Sequence, residues 1–176
     1  MKKNRFTTTQ LAIAGLMIAI TVILSYQNIY LFPPRSGRIT LRFIPMIFSG
    51  ILLGPTLGTI IGGASDPLIY FMTLGSPGMY FPGYMLTNMV IGFFPGLIIR
   101  KNIEKESKFS IILKVALISL LSFAVTIFLD SFWLSITRGK GFWYYVASRT
   151  LPNLIQMGIT FVAILVLTTR IKKTYR

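Results

Sequence analysis

The chain has 176 residues, of which 53% are hydrophobic and only 12% are charged, and its mean hydropathy is +0.70. It contains 18 Lys or Arg against 4 Asp or Glu, with no Cys and no His. This composition excludes thiol nucleophiles, disulfides and ordinary zinc or haem sites, and it predicts no metal and no cofactor. A net charge of +14 would suit nucleic acid, but so apolar a chain instead predicts one integral membrane domain, residues 1–176, without a nucleic-acid partner.

Six apolar segments are candidates for membrane helices. The first follows a basic start and no small-residue cleavage site follows it, so we interpret it as a retained helix and not a signal peptide. The second and third are short and Gly-rich, and a re-entrant pair is an alternative for them. Ser65-Asp66-Pro67 predicts a break in the third. The predicted helices are residues 9–30, 41–53, 58–74, 80–99, 110–135 and 142–169.

The basic residues predict the orientation of these helices. Twelve of the 18 fall on one face of the predicted membrane domain, and such an excess marks the cytoplasmic side. Six crossings then place both termini in the cytoplasm, which predicts an all-α, multi-pass protein of the cell membrane, of bacterial type. The twelve are Lys2, Lys3, Arg5, Arg100, Lys101, Lys105, Lys108, Lys114, Arg170, Lys172, Lys173 and Arg176.

The other six bases lie on the predicted outer side, against the usual bias. They are Arg35, Arg38, Arg42, Arg138, Lys140 and Arg149. Contact with lipid headgroups is one interpretation. Arg42 and Arg149, however, lie inside apolar segments, where an unpaired charge costs roughly 2.5–3.5 kcal/mol unless it faces protein or water. This placement predicts an outward-facing receptor for carboxylates, which guanidinium groups bind in bidentate fashion.

Aromatic and amide side chains gather near these arginines. Aromatic residues at a membrane surface usually form the interfacial belt, but flat walls with a few polar groups also suit a planar organic ligand. Asp66 has two interpretations, a ligand contact or a salt bridge to an arginine. No residue is predicted to be catalytic. The predicted substrate-binding residues are Arg35, Arg42, Asp66, Tyr80, Phe81, Tyr84, Asn88, Trp143, Tyr145, Arg149 and Asn153.

Helix one carries a second signal, the small residues Ala12, Gly15 and Ala19. Small-xxx-small spacing lets another helix approach closely, either a partner's helix or one of this chain. The chain has no Walker A loop, and six helices are few for a pump that works alone. A substrate-binding membrane protein that is driven by a separate ATPase therefore fits best. Less favoured are a scaffold subunit and a lipid-processing enzyme, which would need more carboxylates than Asp66 and Asp130.

Four stretches resemble a known family. They are LAIAGLMIAI, GRITLRFIPMIFSGILLGPTLGTIIGGASDPLIYF, GSPGMYFPGYMLTNMVIGFFPGLI and FWYYVASRTLPNLIQMGI. Together they resemble an S-component, the substrate-binding membrane subunit of an energy-coupling factor (ECF) transporter, and are most similar to the folate-specific type. One departure is that helix one has Gly-x-x-x-Ala where the family often has Ala-x-x-x-Ala.

The resemblance implies a fold, partners and a cargo. An S-component has six helices and binds a vitamin from outside. It docks through the small residues of helix one onto a membrane coupling subunit that two ATP-binding cassette ATPases drive, and it topples to deliver the vitamin inward. The pterin of folate would suit Asp66, Asn88 and Asn153 with aromatic walls, and its two carboxylates would suit the outer arginines. S-components for pantothenate, thiamine or riboflavin are the alternatives.

Overall fold

The computed structural model describes residues 6–30, 38–72, 80–99 and 107–174, and within them it contains six α-helices and one short hairpin. The prediction of an all-α fold with six helices is therefore confirmed. Three of the helices, counted within those ranges, are long and apolar enough to cross a membrane by themselves: α1, α5 and residues 142–170 of α6. The helices are α1 Thr8–Ser25, α2 Phe43–Leu53, α3 Pro55–Met72, α4 Pro82–Ile98, α5 Lys108–Arg138 and α6 Phe142–Thr174.

Helix α1 begins at a capping box. The Thr7 hydroxyl accepts from the Gln10 backbone N–H at 3.3 Å, and the Gln10 side chain accepts from the Thr7 N–H at 3.0 Å, which satisfies two free donors of the first turn. The predicted continuation of this helix to Tyr30 is wrong, because α1 ends at Ser25. A strand, β1, follows at Asn28–Tyr30 and pairs antiparallel with β2, Arg38–Thr40. The β-branched and aromatic residues Ile29 and Tyr30 favour this extended conformation.

Helix α2 lies at the centre of the bundle. Its side chains face α4, α5 and α6 in one apolar core, and it is joined to α3 by the single residue Gly54, whose φ of +90° suits glycine. The predicted starts of α2 at residue 41 and of α3 at residue 58 are therefore misplaced by two and three residues. The core residues are Phe43, Met46, Ile47, Ile51, Ile91, Ile99, Ile111, Val115, Ile118 and Ile164.

Helix α3 runs through Pro67, so the predicted break at Ser65-Asp66-Pro67 is wrong. Pro67 lacks a backbone N–H and so removes one hydrogen bond of the helix, but this loss does not end the helix. In the turn before Pro67, the Ser65 hydroxyl donates to the Ile61 carbonyl at 2.6 Å. The helix is also held along its length by α4, the partner against which it packs most extensively. Packing therefore outweighs the local preference of the proline.

Glycines set the distance between α3 and α4. A Cβ atom built on Gly92 would lie 2.1 Å from the Gly58 carbonyl oxygen, and one built on Gly62 would lie 2.2 Å from the Asn88 carbonyl oxygen. The backbones of the two helices thus touch, as small residues permit in membrane proteins. This close contact brings the polar side chains farther along the same two helices within bonding distance.

Candidate substrate-binding site

The predicted residues Asp66 and Asn88 meet across α3 and α4. The Asn88 side-chain amide donates to Asp66 Oδ1 at 2.7 Å, and both side chains are buried. A buried carboxylate needs such a donor, because an unsatisfied charge away from water is costly. The pair occupies the end of the bundle where α3 and α5 end and α4 and α6 begin, which we call the site end.

Arg42 and Tyr80 adjoin this pair. Arg42 is the residue before α2, it is buried, and its guanidinium lies 5.0 Å from the ring centroid of Phe43 and within electrostatic reach of the Asp66 carboxylate. The Tyr80 hydroxyl is buried and lies beside the Asp66 carboxylate, an acceptor to which it can donate. Burial raises the pKa of this hydroxyl and the neighbouring Asp66 raises it further, so Tyr80 stays protonated and available as a donor at neutral pH.

Arg149 forms a salt bridge that the sequence interpretation did not include. Its Nη2 lies 3.1 Å from Asp130 Oδ2, with the two side chains only 15% and 8% exposed. Asp130 was not among the predicted site residues, although a carboxylate inside an apolar segment is itself a signal of function. The predicted residue Tyr84 lies within electrostatic reach of both partners.

Aromatic rings line the same end of the bundle. The predicted residue Phe81 packs against Tyr84 with centroids 6.1 Å apart and against Trp133 at 5.5 Å. Trp133 also donates its indole N–H to Thr87 Oγ1 at 3.2 Å. Trp133 and not Trp143 is therefore the tryptophan of this cluster. Trp143, which we predicted to bind substrate, has a side chain that is 74% exposed.

The other predicted residues of α6 lie on its inner face. Tyr145 and Asn153 are buried, and Asn153 lines a narrow, partly open cleft of about 20 Å³ between α2, α5 and α6. Gln156, one turn deeper, accepts from the Thr40 backbone N–H at 2.7 Å and so ties β2 to α6. The cleft is lined by Phe43, Ile47, Ser119, Ser122, Phe123, Thr126, Asn153, Gln156, Met157 and Thr160.

Two groups of predicted residues remain. Arg35 lies outside the described residues. The three small residues of helix one, Ala12, Gly15 and Ala19, are exposed on α1, and nothing in the described part of the chain lies within 4 Å of a Cβ built on Gly15. Within the described part of the chain, these three small residues therefore do not form a packing face for another helix. No group of three His, Cys, Asp or Glu that could hold a metal ion occurs within the described ranges.

These features define a class of protein: a small all-α membrane protein with buried charges and aromatic rings at one end of its bundle. A family model described as "ECF-type riboflavin transporter, S component" matches residues 5–173. The curated folate transporter FolT of Clostridium novyi (strain NT) is 30% identical over 164 residues, which cover 93% of this chain and 88% of the relative.

Solved structures show the same fold. The crystal structure of FolT bound with folic acid has a TM-score of 0.75 at 24% identity and covers 93% of this chain and 95% of its own. The S-component for biotin from an ECF-type ABC transporter has a TM-score of 0.65 at 22% identity and covers 97% of this chain and 95% of its own.

This chain belongs to the family of ECF transporter S-components, so the family that its sequence resembles is confirmed. It is therefore a membrane-embedded substrate-binding component of a transport system. The cytoplasmic placement of both termini stays a prediction from the basic residues.

Proposed function

We propose that this S-component binds folate at the site end and delivers it across the membrane. The observation that carries the proposal is a set of polar groups near aromatic rings: the buried residues Arg42, Asp66 and Asn88, and the half-buried Arg149. A heterocycle rich in donors and acceptors suits the carboxylate and the amide, and the carboxylates of a glutamate tail suit the guanidinium groups. The curated relative named as a folate transporter supports this choice of vitamin.

The site is further proposed to comprise Tyr80, Phe81, Tyr84, Tyr145 and Asn153. Of the remaining sequence candidates, Arg35 stays a proposal without a structural description, and the exposure of Trp143 gives it at most a peripheral role. No catalytic role is proposed for any residue.

Riboflavin is the second candidate, because the family model that matches the chain carries that vitamin in its description. A neutral flavin, however, has no carboxylate for the guanidinium groups of Arg42 and Arg149 to bind. Pantothenate and thiamine are less favoured still, since pantothenate lacks a ring for the aromatic walls and thiamine carries a positive charge.

Folate is expected to be the ligand that copurifies with the protein. The protein would be produced in cells supplied with all four vitamins, purified in detergent, and its released ligand identified by mass spectrometry. Calorimetric titration of the stripped protein with each vitamin then ranks the affinities. Recovery of riboflavin, with flat folate titrations, would refute the folate assignment while leaving the family assignment intact.

Transport is proposed to require docking of the exposed face of α1 onto an ECF coupling subunit, with two ATP-binding cassette ATPases as the motor. Small residues at positions 12, 15 and 19 leave room for a partner helix to approach. Because no described atom lies within 4 Å of a Cβ built on Gly15, an external role for this face is supported.

The Gly15→Leu substitution is expected to abolish folate uptake and leave folate binding unchanged. A Cβ atom there meets no described atom within 4 Å, and the bulk of leucine would hold a partner helix away. Uptake of radiolabelled folate by cells that contain the whole transporter measures the first effect, and calorimetry measures the second. Gly158→Leu on α6 is the matched control, because a Cβ at Gly158 is equally free of contacts. Weaker binding by Gly15→Leu would assign this face to the fold of the S-component itself.

A further inference from the structure

Asp130 is a buried charge for which the proposed folate site has no role. It lies on α5 and contacts Arg149 of α6 through one N–O pair at 3.1 Å. A buried salt bridge is weak evidence for stability, because desolvation of the two charges offsets most of their attraction. The pair therefore calls for an explanation other than holding α5 to α6.

The charges around Asp130 suggest that explanation. Asp130 and Asp66 lie within electrostatic reach of each other, Arg42 is near Asp66, and Arg149 is paired with Asp130. These two carboxylates and two guanidinium groups have no net charge. A ligand carboxylate that binds Arg149 must compete with Asp130 for it, and it then leaves Asp130 beside another anion.

We propose that Asp130 is a specificity-determining residue that competes with ligand carboxylates for Arg149. It lowers the affinity of the site for anionic ligands and leaves the affinity for neutral ligands unchanged. The site therefore selects a carboxylated vitamin only when the rest of the ligand also fits. This inference rests on the proposed binding of a small vitamin at the site end. It adds to that proposal the residue that determines how affinity depends on the charge of the ligand.

The test is the ratio of affinities for a charged and a neutral ligand. Asp130→Asn keeps the shape of the side chain and an oxygen that can accept from Arg149 but removes the negative charge. We expect it to tighten folate binding about tenfold, equivalent to about 1.4 kcal/mol, because Arg149 no longer has to give up an ionic contact with Asp130 when it binds the ligand carboxylate. Binding of 6-methylpterin, which lacks the carboxylates, is expected to change less than twofold. Weaker folate binding, or an equal change for both ligands, would overturn the proposal.

A double-mutant cycle separates competition from altered packing. In an Arg149→Gln background, Asp130→Asn is expected to lose most of its tenfold effect, because the group for which Asp130 competes is gone. An undiminished effect in that background would show that Asp130 acts without Arg149. Asp130→Ser is the second variant, and it is expected to tighten folate binding likewise if Asp130→Asn does not fold.

The effect of Asp130→Asn can still be interpreted if folate is not the ligand. If the wild-type protein binds riboflavin and not folate, the folate proposal fails, and riboflavin and its phosphate ester replace pterin and folate as the neutral and anionic probes. Asp130→Asn must then tighten binding of the phosphate ester alone. Equal effects on both flavins would refute the role of Asp130 independently of the identity of the vitamin.

Discussion

Replacing Gly92 with alanine is expected to destabilise the protein by about 3 kcal/mol, which is the upper end of the usual effect of overpacking a tight interface. The new Cβ would lie 2.1 Å from the Gly58 carbonyl oxygen, which is a backbone atom and cannot rotate away. Helices α3 and α4 must therefore separate. Because the Asp66–Asn88 hydrogen bond spans the same two helices, ligand binding is expected to weaken as well. Thermal unfolding in detergent and calorimetric titration measure the two effects.

The matched control is Gly158→Ala on α6. Its Cβ would meet no atom within 4 Å, and alanine is favoured over glycine inside a helix by about 0.5–1 kcal/mol. This variant is expected to unfold at the wild-type temperature or slightly above it. If Gly92→Ala unfolds at the same temperature as Gly158→Ala, the backbone contact between α3 and α4 does not set the helix spacing.

Replacing Arg149 with glutamine is expected to weaken folate binding by about 2–5 kcal/mol, the usual cost of truncating one partner of a buried charged interaction. The ligand carboxylate loses the guanidinium group that would bind it, and the uncharged glutamine side chain cannot replace that positive charge. Calorimetric titration with folate measures the loss, and titration with 6-methylpterin shows whether it is confined to the carboxylated ligand.

Arg138→Gln is the control for this experiment. Arg138 also carries a positive charge near the site end, but its side chain is exposed at the end of α5, where water screens it. Folate affinity is expected to change less than threefold in this variant. Equal losses for Arg138→Gln and Arg149→Gln would mean that the general positive field of the site end, and not a specific contact, attracts the ligand.

The number and order of the helices follow from the sequence because apolar length alone identifies most membrane segments. The ends are harder to predict. Residues Asn28 to Tyr30 follow closely on the apolar run of helix one. Ile29 and Tyr30 favour an extended backbone, but it is the pairing with Arg38–Thr40, distant along the chain, that makes the segment a strand. Pro67 marks a break by local rules, and the close contact of α3 with α4 overrides it.

Only part of the candidate site could be predicted from the sequence, for similar reasons. Asp66 and Asn88 stood out as polar residues in apolar segments, and their meeting follows from adjacent helices. The choice of Trp143 over Trp133 arose because the sequence does not show which face of a helix turns inward. Asp130 is one of only two carboxylates predicted to lie inside the membrane, so it could have been inferred as the partner of Arg149. The two residues are, however, 19 positions apart in the chain, and no periodic pattern connects them.

Apart from the short helix α2, the helices fall into two groups whose lengths differ by almost a factor of two. Helices α1, α3 and α4 have 17 or 18 residues, whereas α5 and α6 have 31 and 33. At 1.5 Å per residue these lengths are about 26 Å and about 48 Å, against a hydrocarbon core of about 30 Å. Because α3 packs on α1 and α4 while α5 packs on α6, the molecule has a thin flank and a thick flank. With their helices upright the two flanks do not span the same thickness, so the energy of the protein in its membrane depends on its tilt and on lipid chain length.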